Sequence, residues 1–144
     1  MMLELRRFTV RISLEIAKKM LLAGREEARS LGILCSIAIV DENGWLVALH
    51  RMDGAPIPTV DIAHDKAWTA AAFKLPSSDV SRFGNPETSG LGLNAQNWND
   101  RLTTIPGGLP VEDGGEVIGG VGVCGGTVQQ DVAVCQSAMA AIHG

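Results

Sequence analysis

The chain has 144 residues, 46% hydrophobic and 19% charged, with a formal net charge of −4, which suits one folded domain taken over residues 1–144. Its only basic pairs, Arg6-Arg7 and Lys18-Lys19, are too small a block for a nucleic-acid or anionic-membrane surface. No apolar run is long enough to cross a bilayer and the charged start, Met1 to Arg11, is unlike a secretory signal, so the expectation is a cytoplasmic protein. Cysteines number three, without metal-ligand spacing, and Cys35 and Cys135 read as buried thiols rather than parts of a disulfide framework.

In chain order, Ser13 is placed to cap a helix whose apolar face is Ala17, Leu21, Gly24, Ala28 and Leu31, with Lys18, Lys19, Arg25, Glu26 and Arg29 largely elsewhere, and Gly32 ends it. Cys35 to Val40 reads as a short apolar strand. Asp41-Glu42-Asn43-Gly44 is a hairpin turn, and Trp45 to His50 is the returning strand. Gly54, Pro56 and Pro58 then punctuate the chain, and Thr59 is expected to cap a second helix reaching about Leu75. Its packing face is small, Val60, Ala63, Ala67, Ala70 and Ala71, and would let the helix lie close against a sheet or a partner. Asp61, His64, Asp65 and Trp68 fall within an arc of about 100° on a neighbouring face.

After Pro76 some thirty residues show little periodicity. Within them Asn94 to Asp100 surrounds Trp98 with amides, which suits either stacking on a planar ligand or a surface lid held by Asx turns. Pro106-Gly107-Gly108-Leu109-Pro110 is a tight turn. A hairpin follows at Glu112 to Gly115, and Glu116 to Cys124 is a long strand. Thr127 and Gln130 form a capping-box pattern opening a last helix, with an apolar stripe of Val128, Val132, Cys135, Met139 and Ile142. The hairpins imply an α+β domain, an antiparallel sheet with helices beside it.

Gly120-Val121-Gly122-Val123-Cys124-Gly125 satisfies G-x-G-x-x-G, yet neither a following βαβ unit nor the later acidic residue of a dinucleotide site is present in the sequence. The turn instead offers amide N–H groups and a positive helix end to a carboxylate or other anion.

Several motifs together resemble the haem-binding HbpS, GlcG and PduO C-terminal-domain family over nearly the whole chain. They are Val40-Asp41 with Asn43-Gly44, Arg51-Met52-Asp53-Gly54-Ala55, Asp61 to Ala67 with Thr69-Ala70, Gly107-Gly108-Leu109-Pro110, and Gly122 to Thr127 with Gln130-Asp131. The resemblance implies a profilin-like central antiparallel sheet of about five strands flanked by helices, and homo-oligomers from dimers to octamers. Abundant glycine and the alanine-rich helix agree with close subunit contact. It also implies either binding of a tetrapyrrole such as haem or a corrinoid, or, for some members, hydrolase or deaminase action on small acids. Two departures stand out. Residues 13–31 contain no histidine to match the first-helix haem ligand of some members, and Cys124 stands where the family more often has serine.

Two functional readings follow. In the first, a small-molecule ligand, a tetrapyrrole or a small carboxylic acid, binds near a subunit interface, held by Arg51 and Lys66, the amides of Gly107, Gly108, Gly125 and Gly126, and Trp98. In the second, a hydrolase or deaminase for an unsaturated dicarboxylic acid uses Asp61 or His64 to activate water, with Cys124 as a candidate nucleophile beside a positive helix end. Blander roles compete: Cys124 as a buried inert thiol, Asp61 and Asp65 on a solvated face, Arg51 paired with Asp53 or Asp41, Lys66 laying its stem along the helix, and Asp131 fixing the turn. Asp61, His64 and Asp65 at i, i+3 and i+4 could surround a divalent ion, but such helical sites usually recruit a remote ligand, and no metal ligand is assigned. Both readings, with the residues sited as above, require the two glycine bends and the alanine-faced helix to meet around a shared hollow.

Overall fold

A computed structural model describes residues 10–84 and 99–143. Helix α1 (Leu14–Leu31) is capped by Ser13, whose hydroxyl accepts from Ile16 N at 3.2 Å, and ends at Gly32 with φ 72°. Added Cβ at Gly32 would meet nothing within 4 Å, so only the left-handed backbone penalises a side chain there. Gly32→Ala should therefore lower unfolding stability by about 1–2 kcal/mol in urea titrations while leaving the fold intact.

Strands β1 (Ser36–Asp41) and β2 (Leu46–Arg51) form the first hairpin. Its turn is closed by Asp41, whose carboxylate accepts from Asn43 N (2.9 Å) and Trp45 N (3.0 Å), while Gly44 takes φ 82°. Helix α2 (Pro58–Phe73) follows, then a 3₁₀ segment (Ser77–Gly84), strands β3 (Gly108–Asp113) and β4 (Glu116–Cys124), helix α3 (Val128–Ala140) and a short 3₁₀ turn (Ala141–His143). The four described strands make one antiparallel sheet in the order β2-β1-β4-β3, an α+β architecture. No helix among the described residues is long and apolar enough to cross a membrane.

The sheet is sandwiched. Helices α1 and α3 cover one face around Met20, Leu21, Ile37, Ile39, Val121, Val123 and Val134, and α2 covers the other around Ala38, Val40, Ala63, Ala67 and Ala71. The second interface is a backbone-to-backbone contact. A Cβ at Gly108, Gly120 or Gly122 would strike the carbonyl of Lys66, Ala67 or Ala63 respectively. The small helix face, expected to lie close against a sheet or a partner, and the strand glycines thus serve α2-on-sheet packing within one chain.

Two local expectations are corrected. Thr59 does not cap α2. The helix starts on Pro58 without a side-chain cap, and Thr59 Oγ1 donates to Pro56 O (2.6 Å) and shares a hydrogen bond with Ser36 Oγ (2.8 Å). Proline at the first helical position has no N–H to leave unsatisfied, which removes one of the donors a cap would serve. In α3 the capping box of Thr127 and Gln130 forms as expected. The inward stripe, however, is Asp131, Val134, Cys135 and Ala138, an i, i+3, i+4, i+7 set, and Val128 is 47% exposed. The helix is turned by the engagement of Asp131 in the interior.

Candidate functional site

The glycine bends do meet, and what fills the space between them is protein. Lys66, on α2, is 2% exposed; its Nζ donates to Val123 O at 2.7 Å and lies 3.4 Å from Asp131 Oδ2 on α3. Asp131 Oδ1 accepts from Gly126 N at 2.9 Å. Gly107 has φ 117°, and a Cβ there would stand 2.8 Å from Lys66 Nζ, 2.9 Å from Val123 O and 3.3 Å from Asp131 Cβ, so both backbone conformation and crowding around the ion pair require glycine at this bend. The amide of Gly108 is taken by Ser77 Oγ (3.0 Å), whose hydroxyl donates to Ile105 O (2.7 Å). The anion over the cysteine turn is therefore the chain's own Asp131. Burial pushes that carboxyl's pKa up despite the Gly126 N–H and the Lys66 ammonium beside it.

Cys124 lies at the end of β4 opposite Ser36 and is partly buried. Burial raises its pKa, with Lys66 opposing and Asp131 adding to the shift, so the thiol is the resting form at neutral pH. Cys35 and Cys135 are buried free thiols, the former's pKa raised to about 12, chiefly by desolvation.

Clefts open elsewhere, two of them beside predicted site residues. The larger, about 590 Å³, is lined by Arg25 and Arg29 of α1, Leu34, and the end of β2 with its continuation, Leu49 to Asp53. Arg51 Nη1 donates to Ala55 O at 3.1 Å, and Arg29 pairs on the surface with Glu26 at 3.2 Å. Arg25 Nε is buried and lacks a hydrogen-bond partner among the described residues. The His50 imidazole has its pKa lowered, first by burial and then by the Arg25 charge, so it is neutral at pH 7. Three guanidiniums against the one carboxylate of Asp53 make this a cationic cleft with apolar walls of Leu34, Leu49 and Met52.

The smaller cleft, about 400 Å³, lies between the first hairpin and α2 and is lined by Trp45, Leu46, His64, Trp68 and Arg101 with Asn43 and Gly44. Here Trp68 lies against Gly44, whose added Cβ would be 2.9 Å from the indole Cδ1. Arg101 Nη1 reaches Asp65 Oδ1 at 3.1 Å. The pKa of His64 is lowered by burial and Arg101, against a raising effect of Asp61. Asp61 is exposed. Among the described residues no group of three His, Cys, Asp or Glu is arranged to hold a metal ion.

The predicted site residues thus fall in three places: Arg51 in the larger cleft, His64 in the smaller with Asp61 on the same helix, and Lys66 with the four glycines and Cys124 around the buried ion pair. Trp98 lies outside the described residues. A water-activating His64 and an acid-holding Arg51 do not line one cleft. Sequence reasoning passed over Arg25, Arg29 and His50. The signal was present in the i, i+4 arginines of α1 and in the adjacent His50-Arg51 pair closing β2, but it becomes a site only once β2 is laid beside α1.

Residues 12–140 match the family model described as "Haem degrading protein HbpS-like". The chain belongs to the HbpS-like family. Protein ORFY of Klebsiella pneumoniae, a family structure, superposes with a TM-score of 0.84 at 33% identity, covering 99% of each chain. The structure of PduOC in complex with haem superposes with a TM-score of 0.82 at 32% identity, covering 92% of this chain and 95% of that one. The corrinoid adenosyltransferase PduO of Salmonella typhimurium is 34% identical over 121 residues, 84% of this chain, which spans only 36% of that enzyme.

Proposed function

We propose that this protein binds a small anionic ligand, a tetrapyrrole such as haem or a smaller carboxylic acid, in the cleft between α1 and the end of β2. The observation that carries the reading is the convergence of Arg25, Arg29 and Arg51 on one cleft with apolar walls. Its volume falls in the range of roughly 300–1,000 Å³ usual for small-ligand sites. Guanidiniums suit carboxylates through paired N–H donors, and the buried, unpartnered Nε of Arg25 is a donor that a ligand carboxylate would satisfy. The residues present fit haem: the arginines would hold its carboxylates and Leu34, Leu49 and Met52 would face the macrocycle. Bound haem would supply an iron centre able to take a neutral nitrogen or sulfur ligand. The family match and the haem complex of a relative support the tetrapyrrole over other anions.

Among the described strands β2 stands at the edge of the sheet and its end lines this cleft, and Trp45, 73% exposed, and Leu46 give the same hairpin an apolar surface toward its turn. We place the homo-oligomer contact there, so that the ligand sits beside a subunit boundary.

Titration of the protein with haemin should give a saturable Soret change. Arg25→Ala and Arg51→Ala should each weaken binding about tenfold or more, the loss of one charge-assisted contact of about 1.5–3 kcal/mol. Absence of saturable binding both of haemin by absorbance and of di- and tricarboxylic acids by calorimetry would overturn the reading.

A further inference from the structure

We infer that His50 is the protein ligand to the iron of a haem bound in the arginine cleft. The inference rests on the reading above and names the atom donor within it. His50 pairs with Ile37 across the β1–β2 ladder, so its side chain leaves the sheet on the face that α1 covers, the face from which Arg25 and Arg29 reach the same cleft. One wall of the cleft therefore carries the charges that hold carboxylates, and the strand beside it carries an imidazole.

The other candidate donors are less suited. Met52 Sδ already accepts the Cys35 thiol at 3.7 Å. Asp53 is an exposed carboxylate, strongly hydrated and hard in ligand character. The guanidiniums have no lone pair to give. His50 has no hydrogen bond or ion pair among the described residues, so its imidazole stands uncommitted on the wall of the cleft. A neutral imidazole is also the most frequent protein ligand to metals. Placement on an edge strand means that α1 and β1 confine the ring from one side while the cleft stays open on the other.

The test compares haemin with iron-free protoporphyrin, using the full chain and His50→Ala. Wild type should give a ferric spectrum of nitrogen-ligated haem, in absorbance and electron paramagnetic resonance. His50→Ala should lose that signature, bind haemin about tenfold more weakly, and regain the signature on adding free imidazole. Protoporphyrin affinity should be unchanged, because the arginines still hold the carboxylates. His50→Met, which supplies a different donor from the same position, should bind haemin with a shifted spectrum. If wild type binds haemin and His50→Ala leaves the spectrum unaltered, the inference is overturned while the binding reading stands. Equal loss of haemin and protoporphyrin binding in His50→Ala would make His50 a wall of the cleft and also overturn it. Failure of wild type to bind either macrocycle removes the tetrapyrrole reading itself.

Discussion

Lys66→Met should lower the unfolding free energy by about 3–5 kcal/mol, because it leaves the Asp131 carboxylate buried without its cation. Asp131 is 4% exposed, and its remaining partners are backbone N–H groups, Gly126 at 2.9 Å and Gly125. The loss also strands Val123 O, which accepts from Lys66 Nζ at 2.7 Å. The defect should depend on pH with a definite sign. Burial already raises the Asp131 pKa in the native protein, and removing Lys66, which lowers it, raises it further. The folded variant then holds its proton at pH values where the unfolded chain, with a carboxyl pKa near 3.9, has released it. Stability of the variant falls as pH rises from about 4 through the raised folded-state value, so its deficit against wild type should be larger at pH 8 than at pH 5 in urea titrations. The double variant Lys66→Met, Asp131→Leu removes both charges and should recover part of the loss, while the Gly126 amide remains without its acceptor. A deficit independent of pH, or a double variant as unstable as the sum of its parts, would show that the two groups do not act as a pair. The haem binding proposed above should survive in every variant that folds, since neither residue lines the arginine cleft.

Local chemistry explains which parts of this molecule could be read from the chain. The Asn43-Gly44 turn, the Ser13 and Thr127 caps and the Gly32 stop each depend on a few neighbouring residues, and each forms as expected. The family motifs led to the same α+β sheet. What could not be read is long-range. Lys66 and Asp131 are 65 residues apart, and nothing near Lys66 distinguishes a solvated lysine from one threaded between α2 and β4 to a carboxylate on α3. The turn whose free amides suit an external anion carries its own, Asp131, for the same reason. The arginine cleft was hidden by the opposite effect. Arg25 and Arg29 lie off the packing face of α1, which from sequence alone describes any solvated residue, and only the edge position of β2 gives them His50 and Arg51 as neighbours.

Gly122→Ala is expected to be among the most damaging single-methyl additions available in this fold. The new Cβ would fall on the Ala63 carbonyl, 2.5 Å from Ala67 N and 3.0 Å from Lys66 Cβ. Two of these neighbours are helix backbone, which cannot rotate aside as a side chain can. Helix α2 would have to lift off the sheet, loosening Ala63, Ala67 and Ala71 from Ala38 and Val40 and drawing Lys66 away from Val123 and Asp131. Overpacking usually costs about 1–3 kcal/mol, and with backbone on both sides the cost should reach or exceed the top of that range. Gly32→Ala is the matched control. It makes the same change in unfolded-chain entropy, but its Cβ enters open space and only the φ of 72° is unfavourable. The difference between the two variants isolates the steric contribution of the α2-to-sheet contact. A Gly122→Ala protein no less stable than Gly32→Ala would mean that α2 does not rest on the glycines of β4, and with that contact would go the reason Lys66 is held where it meets Asp131.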